Sequence, residues 1–337
     1  MKNDKEVTIA ITTFFRDDLL KDTLNSIGNQ TYKNIKIIIG NDNPDRLLSI
    51  HNLGVFKNLD IKVFNQKKNL GELDNLNFLL AQTTTPYFMW ISDDDVIHPS
   101  FVEWALFYLH LSDSAVAAYS NFETGLDPSN FLNMPVGPDL YVKMNFDSFI
   151  EGFASRSMNL IGCYGLFKSI PLKRIGGFTK LGNGFSPYSD VLLAIQIAAL
   201  GDILYVDRPA IFLRTHPESM SSSSTDIDSY VTAEIDFVIY FLQLFKFSLS
   251  SSANSIILYF MRWFTENHVT VVSRNSSIRI IKKFIIILRA EFKILHLVRN
   301  SGMPLFYCFK HLMLLSQQLT IYLLKFFKYS IKNCKNN

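Results

Sequence analysis

Apolar and polar positions alternate along the chain in short blocks. Val7 to Ile11 (VTIAI) is a near-continuous apolar run, as expected for a strand covered on both faces. After Thr12 to Arg16, the acidic pair Asp17 and Asp18 opens a segment with Leu19, Leu20, Leu24 and Ile27 at helical spacing. Asn34 to Ile39 predicts a second strand, closing on Gly40 to Pro44, with a weaker helix over 47–56. Ile61 to Phe64 predicts a third strand, Asn69 to Gly71 a turn, and Glu72 to Gln82 a helix. Tyr87 to Ile91 predicts a fourth strand, Ser100 to Leu111 its helix, and Ala115 to Tyr119 a fifth strand. This β-α-β alternation predicts a mostly parallel, doubly wound sheet. The pattern then loosens. Asn121 to Leu140, rich in Pro, Gly, Asn and Asp, predicts a long loop. Phe146 to Arg156 fits a helix, and Leu160 to Phe167 a Gly-interrupted strand. Val191 to Leu200 fits an apolar helix headed by Ser189 and Asp190, and Ile203 to Val206 and Ala210 to Leu213 fit two short strands.

In such sheets, ligands bind outside the carboxyl ends of the strands. Those ends carry Thr12 to Arg16, Asn41 to Asn43 and Ser92 to Asp95. Asp93, Asp94 and Asp95 follow directly on a buried-strand pattern, and three adjacent carboxylates cannot all be buried unpaired. They must face water, basic side chains or a cation, and hard carboxylate oxygens suit Mg²⁺ or Mn²⁺ that also holds a phosphate. The bland alternative is an acidic turn before the next helix. Asp190 likewise has two readings, a chemical group or simply the N-cap of its helix. Arg214-Thr215-His216 precedes a Ser-rich stretch, 219–225, that reads as a linker or lid.

Composition adds two constraints. With 48% hydrophobic and 19% charged residues the chain has ample material for a core and is too apolar for disorder. The net charge of +3 hides an asymmetry: 14 basic against 4 acidic residues after position 230, and 19 against 26 before it. Three scattered cysteines, Cys163, Cys308 and Cys334, form no C-x-x-C, which argues against a disulfide framework or zinc site and fits a reducing cytosol. MKNDKE leads straight into a strand, unlike a secretory signal, and no window of about 18 uninterrupted apolar residues predicts a membrane-spanning helix.

Taken in order, these stretches resemble the inverting glycosyltransferases of family 2, with the GT-A fold, over about residues 5–220. VTIAITTFFR resembles V-S-V-I-I-P-T-Y-N-R, NIKIIIGNDNP resembles E-I-I-V-V-D-D-G-S, and NLGELDNLN stands in place of N-x-G-x-x-x-A-R-N. YFMWISDDDVIHP is similar to that family's strand and D-x-D region, RIGGF through DVLLAIQIAALG to its G-G-F and acceptor segment, and FLRTHPESMS to its closing R-x-H-x-x-S. The resemblance implies a nucleotide-sugar donor held with Mg²⁺ or Mn²⁺. It makes Asp94 and His216 the metal ligands and Asp93 a contact to ribose or donor sugar, with Asp95 in support. Asp42 would accept the N–H of the base, with Thr13 and Phe14 lining the base pocket, Thr12 also among the donor-binding residues and Arg16 reaching the phosphates. Strand-end packing is the alternative for Asp42, Thr13 and Phe14, an ordinary surface histidine for His216, and a solvated helix-start charge for Arg16. Asp190 would be the catalytic base, since inversion needs one carboxylate to take the acceptor proton. The chain departs from the family pattern at Asn41, Leu76, Ser92 and Ser189.

Residues after 225 carry almost no strand signal. Over Ile278 to Val298, Ile281, Phe284, Ile285, Leu288, Phe292 and Leu295 share one face, with basic residues mostly elsewhere, and Leu305 to Phe327 is similarly apolar. Such basic amphipathic helices suit an anionic membrane surface, or equally a helical subdomain packed on the transferase domain or a second protomer. Nucleic acid does not fit, because the charges are interleaved with bulky aliphatics. The expectation is a GT-A domain over 1–220 followed by an all-α basic region over 221–337. The expected enzyme moves a sugar onto a lipid-linked (polyprenyl diphosphate) glycan at the cytoplasmic face of the cell membrane, as in bacterial O-antigen or capsule synthesis. The alternative, motivated by the departures, is a nucleotide-sugar-binding or assembly component without transferase activity.

Overall fold

The computed structural model describes residues 5–53, 59–135, 140–183, 186–216, 226–244, 251–274, 285, 288, 289 and 291–296. The chain divides into two compact units, Met1–Thr179 with Ser189–His216, and Lys180–Tyr188 with Pro217–Asn337.

The first unit is built on one mixed sheet. Its strands are β1 (Val7–Thr13), β2 (Ile35–Asn41), β3 (Asp60–Asn65), β4 (Tyr87–Ser92), β5 (Val96–Ile97), β6 (Ala115–Gly125), β7 (Val142–Met144), β8 (Leu166–Lys168) and β9 (Asp202–Arg214). They lie in the order β3-β2-β1-β4-β8-β6-β9-β5, with β7 also on β9. β3, β2, β1 and β4 are mutually parallel, as are β6 and β9, while β8 runs antiparallel to both β4 and β6. The helices are α1 (Asp17–Gly28), α2 (Ile50–Leu53), α3 (Glu72–Gln82), α4 (Phe101–Leu111), α5 (Ser129–Leu132), α6 (Phe146–Ala154), α7 (Ser169–Arg174) and α8 (Ser189–Ala198).

β4 shows why this sequence forms a central strand. Tyr87, Met89 and Ile91 enter the core that also takes Leu20, Leu24 and Ile27 of α1 and Phe101, Ala105 and Leu109 of α4. Phe88 and Trp90 point to the other face, where the Trp90 ring meets Phe88, Phe167 and Phe178. Trp90 Nε1 donates to Leu76 O (3.1 Å), which fixes α3 on the strand. Leu76 is buried there, so an apolar residue suits a position where the family usually has arginine.

Several expectations shift. The fifth strand runs on to Gly125, and Ser129–Leu132 is helical, so 121–140 is not one loop. Of the Gly-interrupted run only Leu166 and Phe167 are extended, in a strand that continues to Lys168, because the chain turns through Gly162 to Gly165. The two short strands after 202 are one strand, which pairs with β6 through register shifts around Asn121 and thereby carries Pro209. The short strand β5 had no sequence signal. Residues 54–56 of the weak helix lie outside the described residues.

The second unit contains α9 (Ile227–Leu244) and α10 (Ser251–Arg274). Asp226 caps α9, accepting from Ser229 N (3.2 Å) and Ser229 Oγ (2.5 Å). The unit's core is aromatic: Phe237, Phe241, Phe260 and Phe264 interlock. Tyr188 packs on Tyr230, Phe237, Trp263 and Phe264 and accepts from Asn267 Nδ2 (3.2 Å). The amphipathic segment 278–298 is described only in part. There Ile285 and Phe292, placed on its apolar face, are exposed, whereas Glu291 and Ile294 are buried. The Ser-rich stretch 219–225 and the segment 305–327 lie outside the described residues. Among the described residues no helix is long and apolar enough to cross a membrane.

Trp90→Ala should remove about 3–5 kcal/mol of stability, since it deletes a fully buried ring and leaves a cavity. Chemical denaturation would show this, and a loss under about 1 kcal/mol would rule out Trp90 as the anchor of this layer.

Candidate active site at the carboxyl ends of β1, β2 and β4

The parallel register brings Thr12 beside both Gly40 and Ser92, so the ends of β1, β2 and β4 line up on one edge. Asp93, Asp94 and Asp95 project from the turn that follows β4, and each has different surroundings. Asp93 is buried. Its Oδ2 accepts from Thr13 Oγ1 (2.6 Å) and its Oδ1 lies 3.2 Å from Arg16 Nη1. Burial, with help from the charge of Asp94, raises its pKa to about 6 against the pull of Thr13 and Arg16.

Asp94 Oδ2 is held from two sides, by Arg16 Nη1 at 2.7 Å and His216 Nε2 at 2.8 Å. His216 arrives from the far wall, two residues beyond β9. Asp95 points the other way, into the fold. Its Oδ1 accepts from Arg214 N (2.9 Å), its Oδ2 lies 2.5 Å from the Tyr164 hydroxyl, and its backbone O accepts from Thr23 Oγ1 (2.7 Å). Burial and the neighbouring Asp94 raise the Asp95 pKa to about 7. Tyr164 also sits 2.7 Å from Ser92 Oγ and accepts from Ser92 N at 3.2 Å. Ser92 is therefore engaged with the tyrosine that braces Asp95.

Asp42 closes a different contact. Its two oxygens accept from Leu70 N (2.7 Å) and Gly71 N (2.8 Å). That pair holds the turn before α3, where Gly71 adopts φ +82°. Asn41 explains its own departure from the family's aspartate: Nδ2 donates to Arg46 O (2.7 Å) and Asn65 Oδ1 (2.8 Å), which a carboxylate cannot do. Phe14 is exposed, and Thr12 is half-buried beside Ser92.

Asp190 lies in the first turn of α8, after the helix start at Ser189, so it is not the N-cap. Its pKa is raised by burial, against hydrogen bonds from the backbone N–H groups of Val191, Asp190 itself and Gly162. The close approach of the 162 segment explains Gly162: a Cβ there would lie 1.9 Å from Asp190 O. The same segment carries Tyr164, so it spans from Asp190 to Asp95.

Two residues join the site that sequence reasoning passed over. Tyr164 left only a polar aromatic in a Gly-interrupted apolar run as its signal. Glu72, the first residue of α3, keeps an exposed side chain, yet the protein atoms crowded around its carboxyl, and then the charges of Asp190 and Asp94, raise its pKa. An acidic residue after N-x-G reads as ordinary helix-start chemistry, which hid it.

Among the described residues, no group of three or more His, Cys, Asp or Glu forms a self-sufficient metal site. A carboxylate oxygen facing an imidazole nitrogen is still a fitting pair for Mg²⁺ or Mn²⁺ when phosphate oxygens complete the shell. Asp94 and His216 could hold such an ion.

Residues 8–162 match the glycosyl transferase family 2 model. An uncharacterized glycosyltransferase of Haemophilus influenzae is 33% identical over 125 residues, which cover 36% of this chain and 38% of that one. Glycosyltransferase GlyA of Streptococcus pneumoniae is 26% identical over 61% of this chain and 31% of its own length. The aligned stretches thus span well under two thirds of either relative. In fold, the chain is similar to S. aureus TarS 1-349 solved with UDP-GlcNAc, with a TM-score of 0.64 at 12% identity over 90% of this chain and 82% of that chain. It is also similar to the mannosyltransferase PcManGT of Pyrobaculum calidifontis solved with GDP-Man and Mn²⁺, with a TM-score of 0.51 at 14% identity over 91% and 86%. The first unit therefore has a GT-A fold.

The pKa values of Asp93 and Asp95 give a testable sign. Both carboxyls hold protons in the folded chain at a pH where the unfolded chain has lost them. Their stabilising contribution is full below the unfolded pKa, about 3.9, and is lost as pH rises through about 6 and 7. In chelator, the melting temperature of Asp95→Asn should fall less steeply from pH 5 to 8 than that of the native chain. An unchanged slope would remove Asp95 as a source of the pH dependence.

Proposed function

We propose that the protein is an inverting glycosyltransferase that moves a sugar from a nucleotide-diphospho-sugar to a hydroxyl of a lipid-linked glycan. The observation that carries this reading is the placement of Asp94 between Arg16 and His216, with Asp190 reached through the 162–164 segment. One acidic and cationic centre suits a diphosphate, and a separate carboxyl with a raised pKa suits a base. The family 2 match and the nucleotide-sugars held by the two fold neighbours support the donor class.

In this reading Asp190 takes the proton of the acceptor hydroxyl as that oxygen attacks the anomeric carbon. The new C–O bond forms on the face opposite the diphosphate, and the bond to the diphosphate breaks with its electron pair leaving on the phosphate oxygen. Backbone N–H groups hold the Asp190 carboxylate in one orientation at the head of α8, so the base is preorganised. Arg16, fixed on Asp93 and Asp94, is a positive group placed to meet the departing diphosphate. A divalent ion held by Asp94 and His216 would neutralise the developing charge as a Lewis acid. Thr12, Thr13, Phe14 and Asp42 line the base side, and Asp93 faces the ribose or sugar. The setting is bacterial surface-polysaccharide synthesis (O-antigen or capsule) at the inner face of the cell membrane, with the basic C-terminal region on anionic lipid or a second protomer.

Asp190→Asn should lower turnover about 10²–10⁴-fold with donor binding retained, because it removes a general base and little else. The rate should also fall as pH drops through the raised pKa of Asp190, since only the ionised form accepts the proton. Titration of UDP-, GDP-, CDP- and dTDP-sugars with Mg²⁺ or Mn²⁺, followed by transfer assays on lipid-linked acceptors, would test both. Full turnover by Asp190→Asn would sink the role of Asp190. Donor binding without transfer to any acceptor would instead favour the non-catalytic alternative.

The membrane reading has a separate check. Removal of 276–337 should shift the protein from the membrane fraction to the soluble one. Unchanged partitioning would reject that role for the region.

A further inference from the structure

Phe15 combines two costs that its own packing does not explain. Its backbone lies in the left-handed region (φ +67°), where a bulky L residue is an outlier and where Asn is better tolerated. Its ring is 57% exposed, next to Phe14 at 47%. The two rings stand edge to face with centroids 5.1 Å apart, at an interplanar angle of 89°. The Arg46 guanidinium lies over the Phe15 ring, 5.9 Å from its centroid, and pairs with Asp17. The corner is therefore braced from the side and left open.

Its position decides what it faces. The residues on either side are both bound to the acid turn: Thr13 Oγ1 donates to Asp93, and Arg16 Nη1 reaches Asp93 and Asp94. The Phe14–Phe15 pair is thus fixed beside the carboxylates proposed to face the diphosphate. The flat apolar group tethered within reach of a diphosphate is a nucleobase, and exposed aromatic faces bind bases by stacking.

We infer that Phe15 is a donor-binding residue: with Phe14 it forms a two-ring corner that takes the nucleobase of the nucleotide-sugar, one ring by its face and the other by its edge. This inference rests on the proposed function. Strained, exposed residues concentrate at ligand clamps, which is the class of site this corner fits.

The test is calorimetric titration of the full chain with UDP and GDP in Mg²⁺, beside inorganic diphosphate as a base-free probe. Phe15→Asn should bind the nucleotide about tenfold more weakly, on the scale of one lost base–aromatic stack. It should bind inorganic diphosphate unchanged, and its melting temperature should be equal or higher because Asn relieves the backbone. Phe15→Tyr should bind as the native chain does. Native-like nucleotide binding by Phe15→Asn, an equal loss for inorganic diphosphate, or failure of Phe15→Tyr would each overturn the inference while leaving the transferase reading in place. So would a loss confined to binding of anionic lipid vesicles. If the native chain binds neither nucleotide but binds another nucleoside diphosphate, that one becomes the probe. If it binds none, the proposed function falls and this inference with it.

Discussion

A buried carboxylate, that of Asp95, ties the edge together. A strand as apolar as β4 can end in three aspartates only if each finds a partner, since an unpaired buried charge is too costly to keep. Asp95 finds the backbone N–H of Arg214 and the hydroxyl of Tyr164. The first contact fixes the end of β9 and so the approach of His216. The second fixes the 162–164 segment, which reaches Asp190. Elements separated by some 70 to 120 residues in sequence are thus referenced to one side chain. Its neighbour Asp94 is free to face outward because Asp95 faces inward.

The three aspartates consequently differ in chemistry although they are adjacent. Burial makes Asp93 and Asp95 hold protons more readily than a free carboxyl does. Asp94 instead meets two nitrogen-bearing side chains from opposite walls. Glu72 and Asp190 add further acidic charge around the same edge, and the charges of Asp190 and Asp94 raise the cost of ionising Glu72. A concentration of acid on this scale is balanced by Arg16 only in part. Further positive charge is therefore favoured there, which is the electrostatic side of the case for a divalent cation.

Much of this could be read from the residues, and the reasons for the remainder are specific. Continuous apolar runs marked β1, β2 and β4, and parallel pairing then placed Thr13, Asp42 and Asp94 on one edge. Those are consequences of burial on both faces, which leaves a clear imprint. The second half of the sheet left a weaker one. β8 is three residues long and antiparallel, β5 is two residues long, and β9 bends past Pro209 without ending. Such elements are held by tertiary pairing more than by local pattern. Tyr164 was illegible for a related reason: its role is a contact made 69 and 72 residues away in sequence, and nothing nearby announces it. The N-cap alternative for Asp190 depended on a one-residue boundary, the least certain feature of any pattern-based helix.

Asp42 ties the end of β2 to the turn before α3. Sequence resemblance assigns it to the base, yet both of its oxygens already hold the turn of Leu70 and Gly71. A carboxylate oxygen has a second lone pair, so accepting a base N–H remains compatible with these bonds. The compatibility has a consequence. The turn that Asp42 holds leads directly into Glu72, whose charge is felt together with those of Asp190 and Asp94. A group bound at Asp42 would therefore act on a residue that also sets the start of α3. In the proposed donor site, the base end and the sugar end are joined through this short turn as well as through the ligand itself. Asn41 supports the same loop by donating to Arg46 O, and Arg46 in turn covers Phe15. The substitution at Asn41 and the aromatic at Phe15 thus belong to one local structure.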